Sequence, residues 1–234
     1  YIYILFKRYA KNIIEANTTP IISSIGNFVI NKRTCVKGIK SGESIEKMYN
    51  ELAKRKGIYN ISDINKLPLV IPAVDITDSS EYIFTNKVPK TNKENNKYIT
   101  DISIGKAVRA SSSFPAIFCP CNFKNHKFLD GGVLDNIPVL EVKKLGADKV
   151  IAINFKADDI DENSNMMDIA MRTIDIMGNK ISENSLRKSE FILTIATDKT
   201  GLLDIEKLDE CYNNGYNIAQ QNMKNIKKML RAET

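Results

Sequence analysis

The sequence predicts an α/β protein in which a layered sheet carries helices on both faces. Three apolar runs of strand length, at residues 67–76, 149–155 and 191–197, alternate with segments of helical spacing. Apolar runs without polar alternation are typical of strands buried on both faces, and strands alternating with helices favour this architecture. With 234 residues and 43% hydrophobic content the chain can bury one substantial core. We therefore predict a single domain over residues 1–234.

Two amphipathic helices are predicted in the N-terminal part of the chain. Residues 1–16 place Ile2, Leu5, Phe6, Tyr9 and Ile13 on one helical face. The second helix, SIEKMYNELAKRK, follows Ser41-Gly42 and ends before Gly57. Both helices can cover one face of a sheet.

Residues 67–76 form the first predicted strand. Pro68 and Pro72 predict that it begins late or lies near a sheet edge, because proline cannot donate to a strand ladder. Residues 81–85 are predicted to be its neighbour. The polar stretch 87–98 is predicted to be an exposed loop.

The rest of the chain continues the alternation of helices and strands. Its predicted elements are, in order, a helix over residues 102–112 ending before Pro115, a strand through Phe128, a helix over 139–145 closed by Gly146, a strand over 149–155, a helix over 166–187, a strand over 191–197 and a helix over 205–230.

The positive charge is concentrated at the N-terminal end. Residues 1–60 carry eleven Lys or Arg against four Glu, whereas the whole chain has a net charge of +6. Such a segment suits an anionic membrane surface or is simply a solvated helix face. No basic patch interleaved with aromatics and no groove-reading motif is present, so nucleic acid is not predicted as a partner.

The cysteine pattern argues against a metal site. Cys119 and Cys121 are separated by one residue rather than the two to four usual for zinc, and His126 is the sole histidine. We expect no metal and no cofactor. Reduced thiols are typical of a reducing compartment, so we predict a cytoplasmic protein, with peripheral attachment to a membrane left open. No apolar run approaches the length of a membrane span.

Asp130 stands out as a candidate functional residue. The strand through Phe128 leads directly into Asp130-Gly131-Gly132, where the missing side chains allow positive φ or the close approach of another group. Asn136 and Pro138 are predicted as the N-cap and first-turn proline of the next helix. The carboxylate would lie at a strand tip. Without the neighbouring block, an aspartate before glycine is better interpreted as a turn residue.

A second block, AVRASSSFP at residues 107–115, precedes this turn. The two blocks in this order, with Asn136-Ile137-Pro138 after them, resemble the patatin-like lipid acyl hydrolases from residue 1 to about residue 155. The resemblance implies a three-layer α/β sandwich with a mainly parallel sheet. It also implies a phospholipase or other serine esterase that uses a Ser-Asp dyad without histidine.

The resemblance implies that Asp130 is the dyad base and that Gly131, Gly132 and Arg109 shape its site. Arg109 has three open roles, which are binding an anionic headgroup, bracing the Asp130 turn and forming a structural ion pair. Because the dyad needs no histidine, His126 is interpreted as a polar turn residue.

Two motifs of the family are missing from the sequence, the glycine-rich oxyanion loop and the Gly-x-Ser-x-Gly elbow. The nearest imitation surrounds Ser24, but Ile22 occupies the position of the leading glycine. We therefore expect the nucleophile to precede Tyr1, the domain to lack its first strand and elbow, and the 234 residues alone to be inactive.

Two rival functions remain. The chain could be a non-catalytic lipid-binding or partner-binding module with the same fold, which an elbow upstream of Tyr1 would exclude. It could also be a basic nucleic-acid binder, for which steep salt dependence of binding would be diagnostic.

Overall fold

A computed structural model describes residues 41–90, 97–115, 117–156, 166–196 and 205–232. The chain divides into two compact units, residues 1–132 and 133–234. The predicted helix over residues 1–16, Ser24, Cys35 and part of the predicted loop, residues 91–96, lie outside the described residues.

The described residues of the first unit form a five-stranded sheet and two α-helices. The strand order is β3-β2-β1-β5-β4. The elements are helix α1 (Glu43–Lys54), strands β1 (Val70–Asp75), β2 (Ser80–Thr85) and β3 (Tyr98–Ile99), helix α2 (Ile104–Ser111), and strands β4 (Cys121–Phe123) and β5 (His126–Asp130). The α/β class is therefore confirmed. The predicted elements α1, α2, β1, β2 and β5 are present with bounds within a few residues of those predicted, whereas β3 and β4 were not predicted.

The sheet of this unit is mixed rather than mainly parallel. β2 and β3 are parallel, whereas β1 pairs with β2 and β5, and β4 with β5, in antiparallel ladders. Residues 76–79 join β1 to β2, and residues 124–125 join β4 to β5. Links this short can only form hairpins, because a parallel crossover needs about a dozen residues.

β1 is the central strand although it contains Pro72. The strand begins late, at Val70, as the prolines predicted, but it does not lie at the edge. The Pro72 carbonyl lies against Gly131, just beyond the end of β5. Because N and O of a strand residue point to the same side in an antiparallel ladder, the missing N–H of Pro72 faces a position where β5 has left the sheet. The proline therefore removes no ladder hydrogen bond.

The core of this unit lies between the sheet and α2. Phe84 and Phe128 are fully buried and meet edge to face, with ring centroids 5.1 Å apart. Small residues on α2, Ala107 and Ala110, are also fully buried and belong to the same cluster. Two aromatic rings packed under small helical residues bring the helix close to the sheet.

Helices α1 and α2 approach each other closely at Gly105. A Cβ atom at this position would lie 2.0 Å from the Glu46 carbonyl oxygen and 2.7 Å from the Asn50 side chain. The Gly105 N–H also donates to Asn50 Oδ1 at 2.8 Å. The contact between these two helices therefore requires a residue without a side chain.

The second unit contains helices α3 (Val139–Lys144), α4 (Met166–Leu186) and α5 (Leu208–Arg231), and the parallel strands β6 (Ile151–Lys156) and β7 (Phe191–Ala196). These elements confirm the alternation predicted for this part of the chain. The prediction that residues 149–155 form a buried strand is wrong for most of these residues. Ala152 is buried, but Ile153 and Phe155 are 52% and 59% exposed.

α3 begins at Val139, as predicted, but its predicted N-cap is wrong. Pro138 occupies the N-cap position, and no side chain caps the helix. The Asp135 carboxyl accepts the Ile137 N–H, and the Val139 N–H donates to the Ile137 carbonyl at 2.8 Å. These turn contacts delay the helix past Asn136, which therefore does not act as its N-cap.

No helix among the described residues is long and apolar enough to cross a bilayer.

Replacing the glycine between α1 and α2 tests their close approach. We expect Gly105→Ala to lower the free energy of unfolding by about 1–3 kcal/mol, because overpacking outweighs the better helix propensity of alanine. Gly215 in α5 is a matched control, since an added Cβ would lie at an ordinary 3.7 Å from Ile195 Cδ1. Gly215→Ala should raise stability by about 0.5–1 kcal/mol. Urea titration measures both values, and equal effects of the two variants would contradict the described contact.

Candidate active site

Asp130 is the last residue of β5, at the point where the chain turns out of the sheet. A 3-10 turn, Gly131–Val133, follows directly. The partly buried carboxyl accepts the Gly132 N–H through Oδ1 at 2.8 Å. No hydrogen bond to Oδ2 is found in the described part of the chain. The backbone therefore fixes one of the two carboxyl oxygens.

Gly131 is required by packing rather than by its dihedral angles. Positive φ is found at Gly42, Gly57 and Gly146 but not at Gly131. A Cβ at Gly131 would lie 2.5 Å from the Pro72 carbonyl oxygen. Of the two explanations that the sequence left open for this glycine, the close approach of another backbone is the one observed.

The two sequence blocks meet through Ser113. The Asp130 N–H donates to the Ser113 carbonyl at 3.1 Å, and the Ser113 hydroxyl donates to the Arg109 carbonyl at 2.8 Å. Ser113 is only 1% exposed. The backbone of Asp130 is thus tied to the end of α2, which holds the catalytic candidate on two regular elements rather than on a loop.

Burial sets the protonation behaviour of Asp130. It raises the pKa of the carboxyl above its ordinary value, and the hydrogen bond from the Gly132 N–H offsets this only in part. A carboxylate that gains a proton more readily than usual is suited to act as a general base near neutral pH.

Arg109 forms an ion pair within the fold. Its Nη1 atom lies 3.0 Å from Glu46 Oε2, and Lys106 Nζ shares that oxygen at 3.3 Å. The Arg109 side chain is 12% exposed. Of the three predicted roles of Arg109, the structural ion pair is the one observed, and it joins α2 to α1. Headgroup binding and bracing of the Asp130 turn remain predictions.

Sequence reasoning missed a side-chain pair between Asp75 and His126. The Asp75 carboxylate is fully buried and lies 2.6 Å from His126 Nδ1. His126 is the first residue of β5 rather than the turn residue that the sequence predicts. The available signal was the position of Asp75 at the end of an apolar run, although its partner lies 51 residues further along the chain.

No group of three or more His, Cys, Asp or Glu side chains arranged for a metal ion occurs among the described residues. The thiols of Cys119, Cys121 and Cys211 are not in disulfides. Burial raises the pKa of the Cys121 thiol, which keeps it protonated and unreactive.

Comparison with known proteins agrees with the motifs. The model of the patatin-like phospholipase family matches residues 6–143. The lysophospholipases NTE1 of Scheffersomyces stipitis and Candida albicans are 32% and 30% identical over 49% and 48% of this chain. An uncharacterised protein, YqhO of Bacillus subtilis, is 28% identical over 50% of the chain.

The matched residues cover 9% and 10% of the two lysophospholipases and 40% of the Bacillus protein. The family model matches more than half of this chain and includes both sequence blocks and the Asp130 turn. The chain therefore belongs to the patatin-like phospholipase family.

Proposed function

We propose that this chain carries the catalytic base of a lipid acyl hydrolase, and that the base is Asp130 of a Ser-Asp dyad. The observation that supports this most directly is the Asp130 carboxyl itself. Burial raises its pKa, the backbone fixes one of its oxygens, and Oδ2 has no hydrogen bond in the described part of the chain.

In the first half of the proposed reaction, a serine oxygen attacks the ester carbonyl carbon while the serine proton passes to Asp130. When the tetrahedral intermediate collapses, the C–O bond to the alcohol breaks and the alcohol takes the proton from Asp130. In the second half, water attacks the acyl-serine and gives a proton to Asp130, which returns it to the departing serine. A fatty acid is released. No cofactor is needed.

The serine is proposed to come from outside the 234 residues, because the sequence contains no Gly-x-Ser-x-Gly. We propose that the donors that stabilise the oxyanion also come from outside these residues, since the sequence contains no glycine-rich loop of the family's kind.

We propose a phospholipid or another acyl-ester lipid as the substrate. Several of the similar proteins are named as lysophospholipases. The basic residues within 1–60 would hold the protein at an anionic membrane surface from the cytoplasmic side.

A non-catalytic lipid-binding module is the second candidate, and the missing nucleophile motif favours it. It requires the same fold but no proton transfer at Asp130.

Replacing the base tests the proposed mechanism in the full-length protein. We expect Asp130→Asn to lower kcat/KM on a phospholipid by about 10²–10⁴-fold, because the amide cannot accept the proton. Asp135→Asn is the matched control. Burial raises the pKa of Asp135 as well, and its carboxyl also accepts the backbone N–H two residues further on, that of Ile137. It should stay within about threefold of wild type. Equal losses in both variants would contradict a specific role of Asp130.

The raised pKa of Asp130 predicts opposite effects on activity and stability. Activity requires the ionised form, so kcat/KM should fall as the pH drops through a pKa above that of an ordinary aspartate. The neutral form is favoured in the folded state, so this group opposes folding once the pH exceeds its unfolded-state pKa. At neutral pH Asp130→Asn should therefore melt no lower than wild type, since its amide oxygen can still accept the Gly132 N–H. A pH–rate profile and thermal unfolding measure these effects, and a strongly destabilised variant would argue for a structural role.

The proposed location of the nucleophile can be tested with a fluorophosphonate, which labels activated serines. The 234-residue chain should remain unlabelled and should not hydrolyse a short acyl ester. The protein extended by the residues encoded upstream should be labelled and active. Labelling of the short chain would place the nucleophile within it, and a folded extended protein that is neither labelled nor active would favour the non-catalytic module.

A further inference from the structure

Asp75 and His126 form a side-chain pair at the opposite end of β5 from Asp130. Asp75 is the last residue of β1 and is 0% exposed, whereas the His126 side chain is 29% exposed. The distance from Asp75 Oδ2 to His126 Nδ1 is 2.6 Å. An ionised carboxylate can only accept, so the Nδ1–H donates to it in a short, charge-assisted hydrogen bond.

The other oxygen of Asp75 holds the neighbouring backbone. Oδ1 accepts the Lys127 N–H at 3.1 Å, the Thr77 N–H at 2.9 Å and the Thr77 hydroxyl at 2.8 Å. Burial raises the pKa of Asp75, but the hydrogen bonds from Thr77, His126 and Lys127 together outweigh it and lower the pKa below its ordinary value. One carboxylate thus binds the first two residues of β5 and the turn after β1.

Two aromatic rings fix the orientation of the imidazole. The Phe128 ring is stacked on it at 5.3 Å, and the Tyr82 ring lies at 4.7 Å. The Tyr82 hydroxyl donates to Asp78 at 2.9 Å, which holds that ring in turn. The imidazole therefore has a defined position against Asp75.

The backbone pairing between β1 and β5 is short. The ladder contains three residue pairs, from Ala73 with Asp130 to Asp75 with Phe128. A slip of one residue would move every β5 side chain, including Asp130, to the opposite face of the sheet. The bonds of Asp75 to His126 and Lys127 extend the hold on β5 beyond this ladder and oppose such a slip.

We propose that Asp75 and His126 are positioning residues. They fix the register and direction of β5 and thereby the position of Asp130. This inference rests on the proposed role of Asp130 as the base. His126 lies four residues before Asp130 on an extended strand, which corresponds to roughly 13 Å. Direct proton transfer between the two side chains is excluded at that separation, so the pair acts through the strand.

Substitutions of His126 in the full-length protein separate a positioning role from a chemical one. His126→Leu removes the N–H donor, and we expect kcat on a phospholipid to fall at least about tenfold with KM unchanged, because small displacements of a catalytic group are costly. His126→Asn retains an N–H donor near the position of Nδ1 and should recover kcat to within about threefold of wild type. Asp63→Asn is the control, since Asp63 accepts the N–H groups of Tyr59 and Asn60 and contacts neither Asp75 nor His126. It should behave as wild type.

Hydrogen exchange provides a readout that does not depend on activity. The Asp130 N–H donates to Ser113, so its exchange reports directly on the position of the strand end. We expect exchange in a peptide covering residues 128–132 to be at least about tenfold faster in His126→Leu than in His126→Asn or Asp63→Asn.

The outcomes distinguish the two proposals. An unchanged kcat and unchanged exchange in His126→Leu would overturn the positioning role, as would a loss in His126→Asn equal to that in His126→Leu. If His126→Leu does not fold, the same comparison is made with Asp75→Asn, which loses the ionised acceptor. If Asp130→Asn leaves wild-type turnover intact, the proposed base is wrong, and the exchange data alone decide whether the pair fixes β5.

Discussion

The antiparallel pairing of β5 with the central strand β1 is the constraint on which the site depends. It places Asp130 opposite Ala73 and brings Gly131 against the Pro72 carbonyl. β5 ends there, so the N–H that Pro72 lacks is not needed by the ladder, and the chain can turn out of the sheet. Gly131 has no side chain and Pro72 has no N–H, and both features allow the two backbones to pass close to each other at this point. A Cβ at Gly131 would force these backbones apart and displace the carboxylate.

The local features of the site could be predicted from the sequence. A strand entering Asp130-Gly131-Gly132 and a helix ending before Pro115 are both signalled within a few residues, and both are present. Their contact, from the Asp130 N–H to the Ser113 carbonyl, was not predictable from either segment alone. It arises because the strand and the end of the helix pack together in the core, which is a tertiary effect.

The misses have the same origin. Pro72 suggested an edge strand, because a lost donor is usually tolerated only there, but the end of β5 provides an equivalent position inside the sheet. His126 gave no sequence signal of its pairing, since Asp75 lies 51 residues away and no periodic pattern links them. Asn136 is a residue type that favours the N-cap position, but the Asp135 carboxyl accepts the Ile137 N–H and the helix begins only after Pro138. In each case a contact made by the fold overrode a local preference.

The two aspartates at the ends of the β1–β5 pairing show why only one of them suits proton transfer. Both are removed from water to some degree, and burial raises the pKa of each. Asp75 is surrounded by four donors, which stabilise its charge and lower its pKa, so it gives up its proton early and has no oxygen left for a substrate. Within the described residues Asp130 accepts a single backbone N–H, so burial prevails and raises its pKa, which suits the proposed proton transfer. The two environments shift the pKa values of like residues in opposite directions, and this separates the carboxylate with a structural role from the one that we propose as the base.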